Sequence, residues 1–203
     1  MIDLKEIQVF HYLSEHLKQV LPFTEAETTA ISCQTSRKVY NKGERFITEG
    51  EINTSSAFIC NGLMRLFYVK EEKEFTVKFF YKNSWIGNLQ SIHHGEPSQY
   101  YLEAVVKTEM LVFESNDMNQ LFNEVPRFER YIRLMIDAAF RQLIREKADR
   151  ILLTPEEQYL QLLDTHAALI EMVPLKQIAS LLNIEPGSLS RIRKRISRNT
   201  KKL

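Results

Sequence analysis

VPLKQIASLLNIEPGSLSRIRKRI, residues 173–196, reads as two short helical patterns joined by a turn. In the first, which begins near Leu175, Ile178, Ala179 and Leu182 recur at helical spacing. Asn183-Ile184 supplies the turn, and Pro186 opens the second pattern at a position where a missing N–H costs nothing. Leu189, Ile192 and Ile196 then form the second apolar stripe. Ala179 falls where two crossing helices approach closely, and a small side chain suits it. The pattern predicts a helix-turn-helix.

That apolar stripe turns Ser188, Ser190, Arg191, Lys194 and Arg195 outward on the second helix. Small polar side chains at the start of a helix, followed by guanidiniums, suit entry into the major groove of duplex DNA. Lys176 on the first helix, with Lys194 and Arg195, fits contacts to phosphates, which position a helix without reading sequence. The plainer alternative is a helical hairpin with a solvated charged face.

The charge distribution favours the nucleic-acid reading. The net charge of +1 divides into +7 for residues 173–203, with eight Lys or Arg against Glu185 alone, and −6 for residues 1–172. An acidic body with a basic end implies an anionic partner for the end. With 44% hydrophobic and 26% charged residues, the chain has the composition of a soluble globular protein. Cys33 and Cys60 are too few for a disulfide scaffold or a metal site, so both are expected to be reduced and at least one packed. MIDLKEI lacks the apolar run of a signal peptide, and no stretch approaches the ~20 apolar residues of a membrane helix. A cytoplasmic protein is expected, with no membrane partner.

Upstream, Leu4, Ile7, Val9, Phe10, Leu13, Leu17 and Val20 keep a helical period, and Thr24 with Glu27 resembles a capping box for a second helix through about Ile31. Between Ser36 and Phe113 the texture changes to short β-rich runs: RKVY, RFIT, SAFIC, LMRLFYV, EFTVKFFY, SQYYLEAVV and EMLVFE. Asn61-Gly62 between two of them is a tight-hairpin signal. Such spacing predicts an antiparallel barrel or jelly roll. Ser115 is expected to cap a short helix ending near Asn123, and Pro126 to open a long one reaching about Leu153. Along it Phe128, Ile132, Met135, Ala139 and Leu143 recur at steps of four and three, extending to Glu146. This is a seam for a second copy of the helix. Alternatively the stripe packs on the barrel, but Leu134, Ile136, Phe140 and Ile144 are available for that contact. Thr154-Pro155-Glu156-Glu157 starts a further helix and marks a domain boundary.

Several of these features together resemble the cyclic-AMP receptor protein family, the Crp/Fnr regulators: KGE and EG turns, NGLMRLF at a hairpin, Trp85-Ile86-Gly87, the Pro126 helix, and above all IASLLNIEPGSLSRIRK. The resemblance spans essentially the whole chain. It implies an α+β fold, with a cyclic-nucleotide-binding-like antiparallel β jelly-roll barrel and flanking helices over residues 1–125. A dimerisation helix follows over 126–153, then a C-terminal helix-turn-helix domain of winged-helix-like type over 154–203. It implies a homodimeric transcription regulator on a pseudo-palindromic duplex operator, with RNA polymerase as a further partner. In the family pattern Arg191 is the arginine that reads a guanine. Only a few residues follow the second helix, so any wing is minimal.

The family's nucleotide pocket is not reproduced. Where cyclic-nucleotide binders of this fold have a Gly-Glu pair and a downstream Arg-Ser-Ala, this chain has Gly87-Asn88 and Ser98-Gln99-Tyr100. The family's Thr-Ser pair on the long helix falls on Leu143-Ile144. A buried phosphate without its cation is severely under-compensated, so cyclic AMP is not the expected effector. Lys78 falls where the family offers a hydroxyl, and it either replaces the lost charge or simply faces water. Any small-molecule effector is unknown; its candidate pocket comprises Lys78, Asn88, Ser98, Gln99, Tyr100 and Leu143.

Two other classes compete. One is a cyclic-nucleotide-responsive module acting on a protein partner, against which the basic helix-turn-helix speaks. The other is a small metal-dependent jelly-roll oxygenase using His93-His94. Such sites need ligands converging from several strands, whereas His11, His16 and His166 lie outside the barrel, so the pair reads as a loop feature. No catalytic residue, metal or cofactor is expected.

Overall fold

Period-two alternation between Ser36 and Glu114 produces eight strands among the described residues. They are β1 (Ser36–Tyr40), β2 (Arg45–Ile47), β3 (Ser55–Asn61), β4 (Leu63–Lys70), β5 (Lys73–Tyr81), β6 (Trp85–Gly87), β7 (Tyr101–Ala104) and β8 (Thr108–Glu114). The structure, a computed structural model, describes residues 4–200, with side chains over 9–198. The expected side chains of Leu4 and Ile7 and the basic Lys201 and Lys202 lie outside that range. The helices are α1 (Leu4–Val20), α2 (Glu25–Cys33), α3 (Leu89–His94), α4 (Ser115–Glu124), α5 (Pro126–Leu152), α6 (Pro155–Met172), α7 (Leu175–Leu181) and α8 (Pro186–Thr200). None of them is long and apolar enough to cross a membrane.

The strands form two four-stranded sheets, ordered β1-β8-β3-β6 and β2-β7-β4-β5. β3 and β8 pair antiparallel with Ala57 opposite Val112 and Ile59 opposite Met110. These four side chains, with Ile47, Met64, Ile86, Leu102 and Ala104, fill the space between the sheets. Their neighbours Phe58, Cys60, Leu111 and Phe113 face the other way, into a core shared with α1, α2, α4 and α5. Both faces of β3 and β8 are therefore buried, which explains why these two runs are almost continuously apolar. Burial pushes the Cys60 thiol up to about 12, so it acts as a packed apolar group, while Cys33 is exposed.

Gly62 joins β3 to β4 at φ +105, where a Cβ would stand 2.5 Å from the Thr108 backbone. Only glycine fits there. The expected capping boxes form at Thr24–Glu27 and Thr154–Glu157. At α4 the cap position is Glu114, with Ser115 already helical. β6 and α3 were not expected as separate elements. His93-His94 ends α3 and is exposed there, rather than sitting in a loop. Both elements are too short to leave a periodic signal.

The chain folds as two compact units, residues to 66 with 79–139, and residues 67–78 with 140–203. In the first, α5 corrects the expected seam. Phe128 is fully buried in the core beneath β8, stacked on Phe113 at 5.8 Å, and Ile132 and Met135 pack against the same core. Phe128 therefore cannot face a partner, while Ile132 and Met135 are half-buried. Tyr131, one turn after Phe128, is also fully buried. Ala139 and Leu143 are exposed as expected, but their companions are Ile136, Phe140 and Ile144. Phe128 and Tyr131 lie inward, where their rings meet those of Phe113 and Trp85.

In the second unit, α6 carries a kink at His166, whose φ of −144° and ψ of 48° are not helical. No strand lies between α6 and α7 or follows α8 among the described residues, so the helix-turn-helix has no wing there.

Candidate nucleic-acid interface

Ile178, Ala179, Leu182, Leu189 and Ile192 are buried, as their spacing predicts, together with Tyr159, Leu169 and Val173. Ala179 and Leu189 are fully buried at the helix crossing. Asn183 turns the chain at φ +53, and the Ile184 N–H donates to the Ala179 carbonyl at 3.0 Å, closing α7. Asparagine tolerates that left-handed conformation better than most residues. The turn therefore sets the angle at which α8 leaves.

On α8, Ser190, Arg191 and Lys194 are exposed and Ser188 is half-buried; on α7, Lys176 is exposed. Arg191 donates to Ser188 Oγ at 3.2 Å, which lays the guanidinium back along the first turn. Arg193 and Arg198 are exposed as well and were not singled out from the sequence. The signal for Arg198 was present: Arg191, Lys194 and Arg198 recur at three and four, so they share one helix face.

Arg195 behaves differently. Its Nε donates to Glu156 Oε1 at 3.0 Å and its Nη2 to Glu156 Oε2, a bidentate pair between α8 and the first turn of α6. The hydrogen bond and charge of Glu156 raise the Arg195 pKa further. Within this unit the guanidinium has an internal anion, which links α8 to α6.

The expected effector residues are also engaged internally. Asn88 is buried and caps α3, its Oδ1 accepting from the N–H groups of Gln90 and Ser91 at 3.1 and 3.3 Å. Ser98 is buried, its hydroxyl donating to the Tyr100 carbonyl at 2.9 Å and accepting from the Tyr100 N–H at 3.2 Å. Tyr100 in turn donates to the Gly87 carbonyl at 3.3 Å, so these residues gather around the end of β6. Gln99 points to solvent. In the other unit, Lys78 Nζ pairs with Glu146 at 2.7 Å and Leu143 is exposed. No group of three or more His, Cys, Asp or Glu able to hold a metal occurs among the described residues.

Residues 37–125 match the cyclic nucleotide-binding domain family. No curated protein sequence matches the chain. Among solved structures, it is similar to the c-di-GMP-responsive global regulator CLP of Xanthomonas campestris, at 12% identity over 87% of this chain and 93% of that one, with a TM-score of 0.69. It is similar to a mutant form of CooA from Carboxydothermus hydrogenoformans, at 14% identity over 90% and 84%, with a TM-score of 0.67. A regulator from Eubacterium rectale, assigned to the Crp/Fnr family, matches at 12% identity over 87% and 85%, with a TM-score of 0.67. At these identities the likeness carries the fold.

Proposed function

For a chain that carries a cyclic nucleotide-binding domain and has the fold of the Crp/Fnr regulators, we propose sequence-specific DNA binding and transcriptional control in the cytoplasm as a homodimer, without control by cyclic AMP. The observation that carries this reading is the exposed face of α8, where Arg191, Lys194 and Arg198 line up behind two small serines. Such a face has the length and chemistry for a major groove. Arg191 is the base reader. Lys176 and Lys194 hold phosphates, and Ser188 and Ser190 allow close approach. RNA polymerase is the natural further partner of a regulator so placed.

The dimer forms through the exposed stripe of α5. Ile136, Phe140 and Leu143 are spaced by four and three, and each is at least half exposed. An apolar stripe of that kind is expensive to leave in water. A two-fold axis along the helix sets the two recognition helices about 34 Å apart, on successive major grooves of a pseudo-palindromic site.

Three features speak against control by cyclic AMP: Asn88 Oδ1 and the Ser98 hydroxyl are engaged by backbone groups, and Leu143 offers no polar atom. Apolar side chains occupy the space between the sheets.

Selection of bound duplexes from a random pool supplies the operator, and Arg191→Ala is then compared with the wild type on that site and on scrambled DNA across a salt series. Loss of a base contact costs roughly 1–3 kcal/mol on the selected site and little on scrambled DNA. Equal losses on both DNAs make Arg191 a phosphate contact. Failure to enrich any sequence overturns specific DNA binding.

A further inference from the structure

Gly187, the second residue of α8, is exposed and stands one turn before Arg191. With Arg191, Lys194 and Arg198 it recurs at steps of four, three and four, so it heads the stripe that points away from the buried Leu189 and Ile192. The fold gives no reason for a glycine there. Four of the six glycines have positive φ, a conformation other residues rarely adopt, and Gly187 is not among them. At Gly87 a Cβ would stand 3.0 Å from Ser56 Oγ and 3.4 Å from Ser56 Cα, so packing accounts for that missing side chain. At Gly187 a Cβ would meet nothing within 4 Å. The turn around it is regular, the Ser188 and Leu189 N–H groups donating to the Glu185 carbonyl at 2.9 and 3.2 Å. Neither the freedom nor the small size of glycine is used inside the protein, yet glycine in a helix costs stability relative to alanine.

The remaining use of glycine is to let a ligand come close to the backbone. Ser190, the outward neighbour of Gly187 on the next turn, is small too, and the Arg191 guanidinium is drawn aside to Ser188 Oγ. The same stripe is basic farther on. Lys194 and Arg198 lie about 10 and 16 Å along the axis from Gly187 at 1.5 Å per residue. A helix that is bare at the start of its groove-facing stripe and basic beyond it enters with the bare turn deepest. The long cationic side chains then reach the flanking phosphates.

We propose that Gly187 is the point of closest approach between α8 and duplex DNA, where bare backbone lies against the base edges of the groove and the missing side chain helps to set which site is bound. This rests on the DNA-binding reading given above. The full-length wild type, Gly187→Ala and Gly187→Val are compared by urea unfolding and by binding to the selected duplex and to scrambled DNA across a salt series. Gly187→Ala should unfold at the same urea concentration or a higher one. It should bind the selected duplex between about fivefold and a hundredfold more weakly, the affinity equivalent of an overpacked contact. Gly187→Val, with more bulk, should lose more. Neither substitution removes a charge, so the salt slope should stay that of the wild type, and scrambled DNA, held through phosphates, should be affected less. Wild-type affinity of Gly187→Ala for the selected duplex overturns this inference alone, and so does an equal loss on both DNAs. A lower urea midpoint for Gly187→Ala assigns the glycine to the fold and overturns it as well. If the wild type binds no duplex, the regulator reading falls and this inference with it.

Discussion

Trp85 and Tyr131 share a hydrogen bond, the indole Nε1–H donating to the phenol oxygen at 2.9 Å, and it ties β6 to α5 across the core. The Tyr131 hydroxyl also shares a hydrogen bond with His16 Nδ1 at 2.7 Å, bringing α1 into the same network. Burial holds the Tyr131 phenol well above the usual tyrosine range, so it stays a neutral donor. Tyr131→Phe leaves an indole N–H and an imidazole nitrogen without their partner. The expected cost is about 1–3 kcal/mol in a urea titration, several times that of removing an exposed hydroxyl.

The same network predicts a pH dependence. Desolvation lowers the His16 pKa below its ordinary value of 6.5. Unfolding restores the ordinary value, so below about pH 6.5 the unfolded chain binds more protons than the folded one. Stability is therefore fully present above that pH and falls as the solution is acidified through the lowered folded value. His16→Gln should flatten this part of the stability profile below about pH 6.5. An unchanged profile assigns the acid sensitivity to other groups.

The two stripes of α5 should respond in opposite ways to substitution. Phe140, at 62% exposed, belongs to the outer stripe, and Phe140→Asp should give a folded monomer by analytical ultracentrifugation at low protein concentration. Phe128 belongs to the inner stripe, and Phe128→Ala should cost about 3–5 kcal/mol of stability through the cavity it leaves. A dimer that survives Phe140→Asp would move the interface off this helix.

Glu156 and Arg195 give a test of which basic residues meet DNA. With its guanidinium held by Glu156, Arg195 is expected to contribute little to phosphate binding. Arg195→Ala should leave the salt dependence of DNA binding nearly unchanged, whereas Lys194→Ala should flatten it by about one unit of slope. Glu156→Gln frees the guanidinium and should steepen the slope. A flattened slope for Arg195→Ala would return it to the phosphate contacts.

Calorimetric titration with cyclic AMP should show no saturable heat, and DNA binding should be the same with and without it. Asn88 Oδ1 caps α3, the Ser98 hydroxyl holds Tyr100, and Lys78 pairs with Glu146, so each has a partner within its own unit. Asn88→Ala tests the structural role separately. It should destabilise the protein by about 0.5–2 kcal/mol through the lost cap.

The sequence by itself determined the features whose physics is local. Ile178, Ala179, Leu182, Leu189 and Ile192 had to be buried for α7 and α8 to pack, and their spacing said so. Alternation in SAFIC and EMLVFE laid down β3 and β8, and Thr154-Pro155-Glu156-Glu157 could only start a helix. What the sequence left open is where one segment had two local solutions of equal quality. α5 carries two apolar stripes a fraction of a turn apart, and either satisfies a helical period. Only the cavity under Phe113 and Trp85, built by residues far along the chain, selected the one with Phe128 and Tyr131. The Arg195–Glu156 pair spans 39 residues and the Thr76–Ser180 bond 104, so neither leaves a periodic trace. Asn88 could equally have faced a ligand or capped a helix, and the backbone N–H groups of Gln90 and Ser91 decided it. Periodicity fixes which residues can share a face, because it is a property of one helix or strand alone. Which face is buried, and which polar atom is already spent, depends on a competition among distant partners that only the packed chain resolves.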